Sequence, residues 1–335
     1  MTTAIPLEDL LDHAITARAE LLDEQHRGAL RLFTGFAEGC PQVVIDVYAT
    51  TAVLHNYANP PAEGLPLVER ALRVIQTRLP WISACVLKTR HATTPESQNG
   101  ALIAGERPAR RIREHGVWYA VDLTMNRDAS FYLDTRGLRA WLIAQMRGMS
   151  VLNTFAYTGS LGVAALAGGA SRVVQLDLNR RFLNMAKDSY TLNGMPITKA
   201  DMLSGDFWPL VSRLKRVGER FDCVILDPPM FAATENGVVD LANNYARLIN
   251  KLRPLVTNGG RIVAINNALF LSGAAYMEIL DTVCQDGYVR LAERVDVPED
   301  CTGYTHTRLG APISDPAPFN HATKIAVLEI RHKEG

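Results

Sequence analysis

The chain has 335 residues, 47% of them hydrophobic and 21% charged. That admits two domains or one large core with an appendage and excludes fibrous or wholly disordered chains. Lys plus Arg number 35 and Asp plus Glu number 35, a formal net charge of zero, so the chain as a whole is no polycation built to coat nucleic acid, although a local basic patch fits that balance.

Every long apolar run is broken by a charge, a Gly-Gly pair or a Pro well short of the ~20 apolar residues of a membrane-spanning helix. Glu8, Asp9 and Asp12 stand where a secretory signal is basic and then apolar. A cytoplasmic protein with no membrane partner is expected. Cys40, Cys85, Cys223, Cys284 and Cys301 form no CxxC pair and have no His at ligand spacing, so free, mostly buried thiols and no metal are expected.

In chain order, residues 1–105 mix an amphipathic helix over 7–24, strands at Val43–Tyr48 and 51–55, a helix over 65–79 and a strand over 81–88, the pattern of a small α/β domain. Residues 91–105, rich in Thr, Ser, Gly and Asn, predict a mobile loop. Residues 106–125 read as a connector in which 110–114 and 117–123 flank the two-residue turn His115-Gly116 of a β-hairpin.

Residues 126–335 form the larger domain. Strands are predicted at 149–155, Arg172–Asp177, 221–227, 261–266, 289–295 and Lys324–Ile330, with helices at 181–192 and Leu241–Leu252 between them, which is the βαβ pattern of a parallel sheet. The fold class is α/β: a Rossmann-like sheet with a smaller N-terminal α/β domain and a β-hairpin. Residues 304–319, with three prolines, read as an irregular loop of no assigned role, and His306 and His321 as structural.

Val151-Leu-Asn-Thr-Phe-Ala-Tyr-Thr-Gly-Ser160, followed by Leu161-Gly162, reads as a strand, a tight Gly turn and a helix of small residues. Such a turn aims backbone N–H groups and a positive helix end at one point. The spacing is not the GxGxxG of dinucleotide binders, and a plain strand-to-helix turn explains it as well. The next strand ends in Asp177, about 20 residues after Gly159, where a carboxylate accepts both hydroxyl protons of a ribose; this points to a nucleoside-containing cofactor. Asp201, with Met202 beside it, is read at the third strand end, near an adenine amine, or else as a helix-capping or loop aspartate.

Phe221-Asp-Cys-Val-Ile-Leu-Asp227-Pro228-Pro229-Met230-Phe231 is the most informative run. Two prolines after a buried strand remove two donors and stiffen the loop, leaving carbonyls and the Asp227 carboxylate at the edge where open α/β sheets bind ligands. An acceptor-rich wall followed by an aromatic suits a planar base, with Phe231 stacking on it and the Pro228 carbonyl accepting from it.

Together with Phe131-Tyr-Leu-Asp-Thr-Arg136, Leu152-Asn-Thr-Phe-Ala-Tyr-Thr-Gly159, Gly168-Gly-Ala170 and Leu192-Asn-Gly194, this run resembles the S-adenosylmethionine (SAM) dependent methyltransferases of bacterial large-subunit ribosomal RNA, both the cytosine-C5 group and the guanine-N7 half of a bifunctional enzyme. The resemblance spans most of residues 110–330. More loosely, Arg31-Leu-Phe33, Ile45-Asp-Val-Tyr48 and Val86-Leu-Lys-Thr-Arg90 resemble the small domain that precedes the guanine-N7 catalytic domain. It implies a class I methyltransferase fold, SAM as cofactor and ribosomal RNA as partner. It also implies a cofactor loop of Phe155, Tyr157, Thr158 and Gly159, with Asp177 and Leu178 at the ribose, Asp201 and Met202 at the adenine, and Asp134 at the methionine end. The competing reading of Asp134 is a hairpin-end aspartate paired with Arg136 or Arg139.

Methylating C5 of a pyrimidine requires a thiolate to add at C6 first. The cytosine-C5 members place a Cys just after the fifth strand, where this chain has Asn266-Asn267. Guanine N7 carries an exposed lone pair and asks only for alignment and dehydration. An exocyclic amine, guanine N2 or adenine N6, would instead gain from acceptors such as Asp227 and the Pro228 carbonyl. The asparagine pair resembles the guanine-N7 enzymes at the same place, and this resemblance implies a base nitrogen, guanine N7 in preference, as the acceptor, with Asp227, Pro228, Phe231 and Asn266 at the reacting end and Asn267 on the substrate. Between Glu106 and Arg147 stand 8 arginines and 5 acids; Arg110, Arg111 and Arg113 are the expected phosphate contacts, with Trp118 and Tyr119 adding stacking. Two rival readings are a small-molecule or protein methyltransferase and a non-catalytic RNA-binding assembly factor.

Overall fold

The computed structural model describes residues 5–229, 231–234 and 237–333, with backbone alone at 231–234 and 237–243. Two compact units emerge: Met1–Leu133 with Pro298–Pro312, and Asp134–Val297 with Ile313–Gly335.

In the first unit α1 (Leu7–Ala17), β1 (Ala29–Phe33), β2 (Val43–Tyr48), β3 (Thr51–Asn56), α2 (Leu65–Arg78), β4 (Ala84–Thr89), α3 (Pro95–Asn99) and β5 (Ala101–Gly105) build a five-stranded sheet in chain order, backed by α1 and α2. The first helix stops well short of residue 24 because Arg18 turns its guanidinium inward to Glu38 (3.0 Å). Residues 91–105 are not a loop: Thr94 caps α3, and β5 pairs antiparallel with β4. An edge strand that buries little of either face carries no period-two signal.

The hairpin β6 (Arg111–Glu114) and β7 (Val117–Ala120) belongs to this unit, since the Arg113 N–H donates to the Arg27 carbonyl at 2.7 Å. The boundaries expected at residues 105 and 125 thus give way to one at Asp134.

In the second unit α4 (Arg136–Gln145), β8 (Ser150–Thr154), α5 (Ser160–Ala167), β9 (Arg172–Asp177), α6 (Arg180–Leu192), β10 (Met202–Ser204), α7 (Phe207–Arg216), β11 (Phe221–Leu226), β12 (Phe231–Thr234), β13 (Gly237–Asp240), α8 (Leu241–Leu252), β14 (Val256–Asn266), α9 (Gly273–Cys284) and β15 (Val289–Arg294) follow one another. The chain then returns to the first unit for α10 (Glu299–Thr302) and closes the second with β16 (Lys324–Ile330). The sheet runs β10-β9-β8-β11-β14-β16-β15, parallel except at β16.

Alternation along the strands explains the two layers. Val224 and Leu226 face a core with α7, α8 and α9, whereas Cys223 and Ile225 face one with α4 and α5. A sheet buried on both sides reads as continuous apolar runs, as in residues 221–226.

Candidate active site

Strand order reverses between β8 and β11, which opens a crevice at the carboxyl ends of these neighbours. After β8 the backbone turns left-handed at alternate residues, with φ 54° at Phe155, 50° at Tyr157 and 78° at Gly159. For the two residues with side chains this costs of order 1–2 kcal/mol each. Phe155 is held by stacking on Phe207 (4.8 Å between centroids) and Tyr157 by an edge contact with Phe182 (4.6 Å). The turn is closed by its own backbone donors: Ala156 N–H donates to the Leu176 carbonyl (2.9 Å), Tyr157 N–H to Asp177 (2.7 Å) and Gly159 N–H to the Ala156 carbonyl (2.8 Å). Gly159 has no room for a side chain, because a Cβ there would lie 2.5 Å from that of Ala186. Thr158 is buried within the turn.

Gln175, which sequence reasoning missed, holds this loop from below. Its Nε2 donates to the Gly159 carbonyl and the Tyr190 hydroxyl, both at 3.2 Å, and its Oε1 accepts from Asn153 Nδ2 at 2.8 Å. The signal was a lone amide inside the apolar strand Arg172-Val-Val-Gln-Leu-Asp177.

Asp177 accepts the Tyr157 N–H on Oδ2 (2.7 Å) and the Asn179 N–H on Oδ1 (2.8 Å), and burial raises its pKa above the usual carboxylate value. Each oxygen keeps a further lone pair for a ribose hydroxyl. Leu178 beside it is 67% exposed, an apolar surface for a flat ring.

Asp201 and Met202 depart from expectation. Met202 begins β10 instead of following a strand, and Asp201 is bound at the opposite edge by Arg172, 2.8 Å away at the start of β9. Arg172 also pairs with Glu219 (2.8 Å), so the Asp201 carboxylate serves a structural ion-pair network and is remote from the crevice. Met202 lines an outer cavity with Leu183 and Ile197. The turn that does leave β10 at the carboxyl edge is Gly205-Asp206-Phe207, with Asp206 capping α7 through the Trp208 N–H (2.9 Å). Gly205-Asp206 before an apolar helix was the readable signal.

At the other end of the crevice, Asp227 follows β11 half-buried, with Pro228 buried and Pro229 exposed. Its pKa is pushed up to about 7, first by burial and then by the nearby Asp134 carboxylate. Asp134, just before α4, accepts from Thr323 Oγ1 at 2.6 Å. Met230 and the Phe231 side chain lie outside the described residues.

Asn266 ends β14, next to β11, and is fully buried; its Oδ1 accepts the Ala268 N–H (3.0 Å), while Nδ2 meets no partner among the described residues. Asn267 Oδ1 is likewise buried without a partner there. Lys324, unremarked in the sequence, pairs in register with Asn266; its buried Nζ donates to the carbonyls of Ala268 (3.1 Å) and Ala322 (2.5 Å). Burial lowers its pKa to about 8. Cys223 is fully buried with its thiol pushed up to about 12, far from the thiolate a nucleophile requires.

Arg110, Arg111 and Arg113 are exposed and belong to the first unit. Arg110 is tied to Asp122 (3.7 Å), and Tyr119 is buried, so it has no face to offer a base. His321 Nδ1 accepts the Thr323 N–H (3.0 Å), a structural role. Among the described residues no helix is long and apolar enough to span a membrane, and no His, Cys, Asp and Glu cluster could hold a metal.

A strand-end acid, a tight loop with left-handed backbone at alternate residues and an Asp-Pro-Pro corner along one edge of an open parallel-rich sheet fit a group-transfer enzyme that binds a nucleoside cofactor. The S-adenosylmethionine-dependent methyltransferase family matches residues 30–305. The chain belongs to that family, and SAM is its cofactor. It is similar to "Ribosomal RNA large subunit methyltransferase I" of Aeromonas salmonicida, 28% identical over 278 residues, covering 82% of this chain and 70% of that one. It is also similar to "Putative ribosomal RNA large subunit methyltransferase YwbD" of Bacillus subtilis, 29% identical over 296 residues, 87% and 74% of the two chains. The fold matches that of SMU.776, a putative methyltransferase solved with SAH (TM-score 0.84, 21% identity, 97% of this chain and 81% of that one).

Proposed function

We propose that this enzyme methylates a base nitrogen of large-subunit ribosomal RNA in the cytoplasm, with guanine N7 as the acceptor. Relatives named as large-subunit ribosomal RNA methyltransferases support the RNA substrate. The observation that carries the choice of atom is Asn266-Asn267 at the end of β14, where the cytosine-C5 group has its cysteine, beside a Cys223 whose pKa of about 12 leaves almost no thiolate at neutral pH.

Bound SAM supplies an electrophilic methyl group on a cationic sulfur. In the proposed arrangement the loop Phe155–Gly159 and Asp177 hold the adenosyl part, and Asp134 sits toward the methionine end. Asp227 and the Pro228 carbonyl face the base. Attack by N7 leaves a positive charge on the purine, which an ionised Asp227 stabilises without taking a proton. The unpartnered Asn266 Nδ2 and Asn267 Oδ1 offer one donor and one acceptor to a base edge. A pKa near 7 also suits Asp227 to accept a proton from an exocyclic amine, which makes guanine N2 or adenine N6 the second reading.

Nucleoside mass spectrometry of ribosomal RNA from a deletion strain tests both atom and substrate. Loss of one 7-methylguanosine is expected; loss of a 5-methylcytidine overturns the nitrogen reading, and an unchanged RNA profile overturns the RNA substrate.

A further inference from the structure

The β6–β7 hairpin carries a charge arrangement that methyl transfer does not explain. Side chains alternate along it, so Ile112 and Tyr119 are buried while Arg111, Arg113 and Trp118 share the outer face, with Arg113 directly opposite Trp118. A third cation comes from elsewhere in the sequence. Asp23 accepts the backbone N–H groups of Gln25, Arg27 and Gly28 (2.8–3.2 Å), folding the turn that presents Arg27. The Arg27 carbonyl then accepts the Arg113 N–H, fastening that turn to the hairpin.

The result is three guanidinium carbons around one indole, 4.8 Å (Arg111), 5.6 Å (Arg27) and 5.7 Å (Arg113) from the ring centroid. All three arginines are exposed, and among the described residues none is in an ion pair. Their mutual separations are of the order of the Debye length, ~10 Å at 0.1 M salt, so their repulsion is only partly screened. Among the described residues no acid side chain pairs with any of these three like charges held on one ring. The neighbouring Arg110, in contrast, is already paired with Asp122.

We propose that Arg27, Arg111 and Arg113, ordered by Trp118, form a clamp for the phosphodiester backbone of RNA. The partner follows from charge complementarity: guanidinium groups match phosphate oxygens in geometry, and several adjacent phosphates supply the density of negative charge that three converging cations lack. Trp118 acts as the organiser of the cations, with its face already covered by them, and not as a stacking platform for a base. This inference rests on the ribosomal RNA reading and adds the surface that grips the strand.

The test is fluorescence-anisotropy binding of the full chain to a labelled single-stranded RNA 20-mer of mixed sequence, over about 50–200 mM salt. Replacing all three together (Arg27→Gln, Arg111→Gln, Arg113→Gln) should flatten the slope of log affinity against log salt by about 2, at ~0.7 per phosphate on a single strand. Removing equal charge from the exposed face of α7 (Arg213→Gln, Lys215→Gln, Arg216→Gln) should leave the slope unchanged. Trp118→Leu keeps every charge and should weaken binding with the slope retained, because the guanidinium groups must then be gathered on binding. Equal flattening in both triple variants, no flattening in the clamp variant, or no RNA binding by the unaltered chain overturns the proposal. Ribosomal RNA methylation with an unaltered slope in the clamp variant removes the clamp and leaves the methyltransferase reading in place.

Discussion

The Asp134 carboxylate, hydrogen-bonded to Thr323, lies close enough to Asp227 to add to the effect of burial and bring the Asp227 pKa up to about 7. Two acids beside the expected place of a sulfonium form a charge-sensitive pair. A cation favours ionised Asp227, so SAM affinity should rise with pH up to about 7 and level off above it, by at most about tenfold per pH unit for one linked proton. SAH, which lacks the sulfonium charge, should bind with little pH dependence. Calorimetric titration of both ligands between about pH 5.5 and 8.5 checks this, and Asp227→Asn should flatten the SAM curve. Parallel curves for the two ligands would place the sulfur away from Asp227.

The same raised pKa has a consequence for stability. The protonated acid is the form the fold accommodates, so its contribution is present below the unfolded value near 3.8 and is lost as pH rises to about 7. Asp227→Asn should therefore melt higher than the unaltered protein at pH 8 and show no such advantage near pH 4, with a gain of about 1–3 kcal/mol after allowance for the half-exposed side chain. Methyl transfer should move the other way, falling by about 10²–10⁴ in kcat.

Asp177→Ala removes two acceptors at once, the one proposed for the ribose and the one that holds the Tyr157 N–H in its left-handed turn. A loss of about 2–4 kcal/mol in SAM affinity is expected, since charge-assisted hydrogen bonds and loop order disappear together. Asp177→Asn keeps an acceptor oxygen and should lose less. Equal losses would mean that the carboxylate charge alone binds the cofactor.

Much of this edge was legible because strands buried on both faces print themselves as apolar runs. Arg172–Asp177 and Lys324–Ile330 have the bounds their sequence predicts, and so Asp177 and Asp227 fall at strand ends. β10 was not legible, being three residues long and half-buried or exposed throughout. Its absence shifted the third strand end onto Asp201, which belongs to the Arg172 network. Gln175 and Lys324 escaped for another reason: one amide and one amine acquire meaning only through partners 16 and 56 residues away. The return of residues 298–312 to the first unit depends likewise on single long-range bonds, such as the Asp300 carboxylate to the Arg31 N–H at 2.9 Å.

Cys223→Ala should leave methyl transfer within a few-fold of the unaltered enzyme and cost about 1 kcal/mol of stability, the scale of one small group lost from a packed core. RNA carrying 5-fluorocytosine should form no denaturant-resistant adduct with either protein. An adduct that Cys223→Ala abolishes would require the strand to open and the thiol to lose its proton despite its burial, and would restore the C5 mechanism.

Arg18 and Glu38 make the most demanding test of the first unit. Both are fully or almost fully buried and lie 3.0 Å apart. The remaining capacity of the pair is met by Thr307 Oγ1 on Glu38 (2.5 Å), by the Thr34 N–H on Glu38 (2.8 Å), and by the Asp300 and Arg31 carbonyls that accept from Arg18 (3.0 and 2.6 Å). A satisfied buried pair adds little net stability, but removing one partner leaves an uncompensated charge in low dielectric. Glu38→Ala should therefore destabilise the first unit by about 3–5 kcal/mol, and Arg18→Met with Glu38→Leu together should cost much less. Thr307→Val tests the anchoring of residues 298–312, with a loss of about 1–3 kcal/mol for the bond to the charged Glu38. Denaturant unfolding followed by hydrogen exchange at residues 298–312 distinguishes the cases. Exchange there should quicken in Thr307→Val before the five-stranded sheet opens, because that segment is held by scattered bonds to Glu38, Arg18, Arg31 and the Ala37 carbonyl while the sheet is held by its own continuous ladder.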